Sequence, residues 1–207
     1  MPSYKLTYWN GRGHAEVARQ LFHFAGVPYE DNRVTMEEWA TLKAKMPFAQ
    51  VPLLEVDGKQ LPQSYAINRY LAKEFGFVGA SAFDSAWVDA IADQYKDYFN
   101  EITAALTVFM GFAQGDKPKL VKEVIEPARD KFFPALEKIA KENGNNGHFV
   151  GTRLTWVDLL LADHIHTVST IIPGFLDAYP TVAKTAAYIE NVPKLKEWIA
   201  KRPVNAF

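Results

Sequence analysis

Four short constellations in this sequence combine residue types that could do chemistry. In Val51-Pro52 a proline stands just before an apolar run. A trans proline there is the ordinary first residue of a strand. A cis bond would instead turn the chain and leave the Val51 backbone N–H and C=O free to pair with a peptide-like ligand. Gln63-Ser64 precedes a helical pattern. Ser64 is either a plain N-cap or, with the open N–H groups of that helix, a cradle for a carboxylate. His164-Ile165-His166 has the composition of a metal pair, but residues two apart on a helix face different sides. A core or interface histidine is therefore the expectation. Thr155-Trp156-Val157-Asp158 has the form of a capping box, with Leu154 and Leu159 placed for a hydrophobic staple. It needs no catalytic role.

Other chemistries are excluded. The chain has no cysteine, so disulfides, zinc ribbons, iron–sulfur ligation and a protein thiol nucleophile are all ruled out. No Gly-x-Ser-x-Gly, His-Glu-x-x-His or phosphate-loop pattern occurs.

The elements that must position these residues fall into two regions. Tyr4 to Trp9 reads as a strand ending at Asn10-Gly11. Ala15, Ala18, Leu21, Phe22 and Ala25 follow at helical spacing, stopped by Gly26 and Pro28. Tyr29 to Val34 predicts a second strand, and Thr35-Met36-Glu37-Glu38 predicts a boxed helix toward Lys45. Leu53 to Val56, Asp57-Gly58 and Lys59 to Leu61 predict a type I′ hairpin, which needs positive φ at both central residues. Ser64 then caps a helix carrying Ile67, Tyr70, Leu71 and Phe75. The order is a βαβ unit followed by a ββα unit. From Asp84 on, only helical periods remain, with Pro127 and Pro134 as bends in one long helix from Val121. The expected fold is a compact α/β domain over residues 1–79, a linker within Phe77 to Phe83, and an all-α domain over residues 80–207.

Composition agrees with a globular chain. It is 48% apolar and 23% charged, with 23 basic against 24 acidic residues. That balance lacks the basic stripe of a nucleic-acid binder, and no apolar run suggests a membrane span. The opening Met1 to Leu6 has no long apolar region and no small-residue cleavage site, so a secretory signal is not expected.

Several stretches taken in order resemble one family. Tyr4 to Glu16, Pro47 to Gly58, Leu61 to Ser64, Ala92 to Asp97, Thr155 to Leu159 and Lys194 to Ile199 are similar to a sigma-like cytosolic glutathione transferase of the nematode type. The resemblance covers essentially the whole chain. It implies a thioredoxin-like N-terminal domain, a helical C-terminal domain contributing the electrophile pocket and dimer contacts, a homodimer and a cytoplasmic location. It also implies reduced glutathione as co-substrate, no permanently bound cofactor and no metal. The implied reaction is conjugation of glutathione to small hydrophobic electrophiles, a detoxification chemistry. Sequestration of apolar ligands such as haem or lipids is the alternative.

The resemblance also assigns roles. Alternation puts Tyr4 and Tyr8 on one strand face and cannot choose between them; the resemblance chooses Tyr8 as the catalytic group that hydrogen-bonds the glutathione sulfur. Trp39 and Lys43 would hold the glycine end. Ala49, Gln50 and Val51 would line the peptide, with the Val51 backbone on the cysteinyl unit. Gln63 and Ser64 would take the γ-glutamyl carboxylate, and Asp97 of a second subunit the α-amino group. On α-helical spacing alone Asp97 reads as a solvated acidic residue beside Asp93, and the resemblance reverses that reading. The sequence departs from the family at His14, where many members carry arginine beside the thiolate, and at Trp9, usually phenylalanine, which would narrow the electrophile pocket. Ala104 and Lys96 replace a tryptophan and an acidic metal-cluster residue of the related prostaglandin D synthase. The resemblance therefore carries neither that isomerase activity nor its metal to this chain.

Overall fold

In the computed structural model, which describes residues 2–204, the alternating run Tyr4–Trp9 forms β1. A single 3-10 turn, Gly13–Ala15, leads into α1 (Glu16–Ala25). β2 (Glu30–Val34) pairs parallel with β1. β3 (Leu53–Val56) and β4 (Lys59–Pro62) form the antiparallel hairpin, and the four-stranded sheet has the order β2-β1-β3-β4. Asp57 and Gly58 sit at φ 49° and 78°, as a type I′ turn requires. Leu6, Leu21, Phe22, Leu53, Leu54, Ile67 and Leu71 form the core of this unit.

α2 spans Met36–Leu42 and carries the expected box: the Glu38 N–H donates to the Thr35 hydroxyl at 3.2 Å, and the Thr35 N–H donates to the Glu38 carboxylate at 2.7 Å. The expected extension to Lys45 tightens into a 3-10 turn, Lys43–Lys45. α3 spans Ser64–Phe75 and departs from expectation at its start. Gln63, at φ 76°, occupies the cap position without a side-chain bond to the helix, so Ser64 is the first helical residue and not the cap.

The second unit is helical, with no strand among the described residues: α4 (Ala82–Phe109), α5 (Lys117–Leu120), α6 (Glu126–Glu142), α7 (Trp156–Ile171) and α8 (Pro180–Glu190). The long helix expected from Val121 is instead broken at its start. A π turn, Val121–Ile125, precedes α6, at whose start Pro127 has no N–H to give a regular i−4 bond. Asp158 is fully buried: its carboxylate accepts from the Thr155 N–H at 2.7 Å, the Thr155 hydroxyl at 2.9 Å and the Phe149 N–H at 2.9 Å. His164 is buried against the Tyr98 hydroxyl at 3.0 Å, whereas exposed His166 pairs with Glu190 at 3.1 Å, so the two histidines do part company.

The division expected at residue 79 needs one correction. The first unit comprises residues 1–77 together with 193–207, and the second residues 78–192. The C-terminal helix α9 (Pro193–Lys201) packs on α1 and belongs to the α/β unit. Among the described residues no helix is long and apolar enough to cross a membrane.

The buried His164 makes the stability of the helical unit depend on pH. Desolvation lowers its pKa from 6.5 to about 3. The unfolded chain therefore binds a proton that the native chain refuses throughout that interval. Its contribution is complete above pH 6.5 and falls as pH drops toward 3, by up to about 1.4 kcal/mol per pH unit. Urea unfolding between pH 7.5 and 5 should show this loss, and His164→Gln should flatten the slope.

Candidate functional site

The site is built at the C-terminal end of β1, where the strand breaks at Asn10-Gly11 and the chain must turn before α1 starts. Tyr8 is buried, with its hydroxyl under that turn. The His14 backbone N–H donates to the Tyr8 oxygen at 3.1 Å. The phenol's own proton has no acceptor among the described residues. Burial raises the Tyr8 pKa, more than the His14 N–H and the Arg19 charge lower it. Tyr8 therefore stays a neutral phenol at physiological pH, a donor to an anion and not a base. Tyr4, the other phenol on that face, is placed in the core, edge-on to Phe22 at 5.2 Å and Phe75 at 6.0 Å.

Gly13 makes this approach possible. Its φ is +41°, and a Cβ there would stand 2.6 Å from the Tyr8 oxygen. His14 gives the site its backbone. Its surface is exposed, yet the surrounding protein lowers its pKa, so the imidazole is neutral at pH 7. It does not supply the fixed charge of an arginine.

The turn itself is held by Arg19, whose side chain is fully buried. Its guanidinium donates to the carbonyls of Gly11 at 2.6 Å, Trp9 at 3.3 Å and Arg12 at 3.4 Å, and to the Asp31 carboxylate at 3.0 Å. It also lies 5.8 Å from the centre of the Tyr8 ring. Glu16, equally buried, stands 3.6 Å from Arg19 and accepts from Trp198 Nε1 at 2.7 Å and Arg202 at 2.8 Å. Asp31 is shared with Arg33, which reaches Asn10 at 3.1 Å. Sequence reasoning missed Gly13, Glu16 and Arg19. The signal was an acid and a base three apart at the start of an otherwise apolar helix.

A second group of expected residues meets at the start of α3. Gln63 Nε2 donates to Gln50 Oε1 at 3.3 Å. Gln63 and Ala49 both hold positive φ, at 76° and 50°, conformations that cost non-glycine residues about 1–3 kcal/mol and concentrate at ligand sites. Ser64 is half-buried beside the open N–H groups of a twelve-residue helix. The Val51-Pro52 bond is cis, and the Val51 backbone enters no turn or loop hydrogen bond among the described residues.

Other expected members lie elsewhere. Trp9 alternates away from Tyr8, and its ring packs on Trp39 at 5.3 Å. Lys43 is exposed in the turn after α2, and Asp97 is exposed on α4 of the other unit.

A mixed sheet with this connectivity, a phenol at the end of its first strand and a helical second unit define a thioredoxin-like domain joined to an all-helical one. Comparison with known proteins agrees. The family model for the glutathione S-transferase N-terminal domain matches residues 4–73, and that for the C-terminal domain matches residues 96–202. Glutathione S-transferase 1 of Ascaris suum is 47% identical over 98% of both chains. Among solved structures, a Nu-class enzyme from Haemonchus contortus is 52% identical with a TM-score of 0.90, covering both chains fully. Monomeric Na-GST-3 from the hookworm Necator americanus is 48% identical with a TM-score of 0.95, covering 99% of this chain and all of that one. The chain belongs to the glutathione S-transferase family, with the nematode sigma-like members.

Gly13 supplies a direct test of the Tyr8 geometry. Gly13→Ala should cost about 1–3 kcal/mol of stability, because both its φ and its Cβ are unfavourable. Calorimetry measures this loss. An unchanged unfolding temperature would show that the turn yields freely.

Proposed function

We propose that this enzyme conjugates glutathione to small hydrophobic electrophiles through a thiolate stabilised by Tyr8. The observation that carries the reading is the buried, neutral phenol whose oxygen already accepts the His14 N–H while its own proton is unused. A phenol that accepts a hydrogen bond is polarised into a better donor. The chain has no thiol of its own, so the nucleophilic sulfur arrives with the ligand.

The magnitudes are adequate. A free thiol with pKa about 8.5 is only a few per cent ionised at neutral pH, and lowering that value by about two units requires about 2.7 kcal/mol. One hydrogen bond to a charged acceptor supplies about 1.5–3 kcal/mol. With His14 neutral, the phenol is the main source of that stabilisation.

The rest of the tripeptide follows from the second group. The γ-glutamyl carboxylate sits on Ser64 and the first N–H groups of α3, with Gln63 alongside. The Val51 backbone pairs with the cysteinyl amide. Ala49 and Gln50 line the rim. Trp39 and Lys43 hold the glycine carboxylate. Asp97, exposed on α4, meets the α-amino group of glutathione bound to a second copy in a homodimer. The hookworm relative described as monomeric makes that last contact the one most in need of testing. The location is cytoplasmic by the same resemblance.

Tyr8→Phe should lower turnover about ten- to a hundredfold while glutathione affinity changes little, since the lost donor acts on the ionised sulfur. A conjugation assay with an aryl halide beside calorimetric titration of glutathione reads both; unchanged turnover would remove Tyr8 from the reaction. Asp97→Asn should weaken glutathione binding about fivefold, the equivalent of about 1 kcal/mol, without altering sedimentation. Unchanged affinity, or a fully active monomer, returns Asp97 to a solvent-facing role.

A further inference from the structure

We propose that the C-terminal helix positions Tyr8 for thiol activation: Glu16, clamped by Trp198 and Arg202, frees the Arg19 guanidinium to hold the Trp9–Arg12 turn and thereby the His14 amide on the Tyr8 oxygen. The inference rests on the reading of Tyr8 as the thiolate donor and adds residues 193–202 to the machinery.

Each link is a contact within one unit. Trp198 Nε1 and Arg202 donate to the same carboxylate oxygen of Glu16, at 2.7 and 2.8 Å. The other oxygen of Glu16 stands 3.6 Å from Arg19 Nη1, beyond a hydrogen bond. That same nitrogen donates to the Gly11 carbonyl at 2.6 Å. Arg19 is thus shared between a carboxylate it does not touch closely and a turn it grips tightly.

The long Arg19–Glu16 distance is the informative feature. Both side chains are essentially without solvent, at 0% and 1% exposure. A buried carboxylate with no other donor would draw the guanidinium onto itself, because an unpaired buried charge is strongly unfavourable. Here the two donors from α9 satisfy Glu16, so Arg19 can spend its planar fork on the carbonyls of Trp9 and Gly11 and on Asp31. Loss of the clamp leaves Arg19 as the remaining partner of Glu16. Moving toward it, Arg19 lets go of Gly11, two residues before Gly13 and three before the His14 amide. The phenol then loses the donor that orients it.

A helix that merely covers α1 would act differently. Lys194 provides the contrast: its ammonium ties α9 to the Phe24 carbonyl at 2.7 Å and touches no part of the Glu16–Arg19 pair. Loosening α9 there disturbs docking and leaves the relay intact.

The test compares Trp198→Phe, Arg202→Ala, Arg202→Lys and Lys194→Met in the full chain with Tyr8→Phe. Trp198→Phe keeps an aromatic ring against His23 and removes only the indole donor. The readouts are thiolate absorbance of bound glutathione against pH, kcat and KM for glutathione against pH, and unfolding temperature. Trp198→Phe and Arg202→Ala should each raise the bound thiol pKa by about half to one unit. At pH 6.5 their kcat should fall about three- to tenfold and recover at high pH, with KM for glutathione within about twofold. Arg202→Lys should restore most of the shift. Lys194→Met should lower the unfolding temperature and leave the thiol pKa in place. In the Tyr8→Phe background, Arg202→Ala should add no further shift.

Unmoved thiol pKa values in both clamp variants overturn the inference, whatever their unfolding temperatures. An equal shift in Lys194→Met also overturns it, because general docking of α9 would then suffice. If Tyr8→Phe shifts the thiol pKa and the clamp variants do not, the inference alone fails. If Tyr8→Phe leaves it unmoved, the reading of Tyr8 fails and the relay goes with it. Should Trp198→Phe not fold, the Arg202 pair carries the decision.

Discussion

A guanidinium buried without solvent must find an acceptor for nearly every N–H it carries, and in this chain Arg19 finds them in the turn above Tyr8. That requirement organises the α/β unit around the site. The acceptors are the carbonyls of Trp9, Gly11 and Arg12, at the end of β1 and in the turn after it, and the carboxylate of Asp31 on β2. One side chain thus ties the end of β1, the turn and the neighbouring strand into a single geometry. A lysine could not do this, because a point charge with rotating donors does not fix three carbonyl directions at once.

The helical unit solves similar problems with anions and neutral pairs. Glu137 on α6 accepts from the N–H groups of Thr181 and Val182 at 3.1 and 2.9 Å, closing the start of α8. Asp158 closes the start of α7 in the same manner and also holds the Phe149 amide. Burying a charge is unfavourable unless its bonding capacity is filled, so each of these carboxylates is placed where helix N–H groups stand open. They close the starts of α7 and α8.

Legibility in the sequence follows the range of the interaction responsible. The Asp57-Gly58 hairpin and the boxes at Thr35 and Thr155 depend on residues within four positions of each other, and their spacing predicts them correctly. α3 starts one residue earlier than the spacing predicts because Gln63 holds a positive φ that its type disfavours, and a propensity argument cannot anticipate such a conformation. The membership of α9 in the first unit rests on bonds from Trp198 and Arg202 to Glu16, about 180 positions away in the chain, and no local pattern announces them. Strand alternation also places Trp9 on the opposite face of β1 from Tyr8, where its ring meets Trp39.

The two tyrosines of β1 show that equal burial does not give two phenols the same surroundings. Tyr4 and Tyr8 are about equally buried, at 7% and 8% exposure, and both have raised pKa values. They share a strand face and a residue type. What separates them is the end of the strand each occupies. Tyr4 lies where β1 begins, among Phe22 and Phe75. Tyr8 lies where β1 ends, so the chain turns over its hydroxyl and supplies an amide, while glycine at position 13 keeps side-chain bulk away. The C-terminal end of β1 gives a buried phenol something the N-terminal end does not, namely a turn whose backbone donor is not committed to the ladder. The catalytic role proposed for Tyr8 therefore depends less on tyrosine as a residue type than on where the sheet stops.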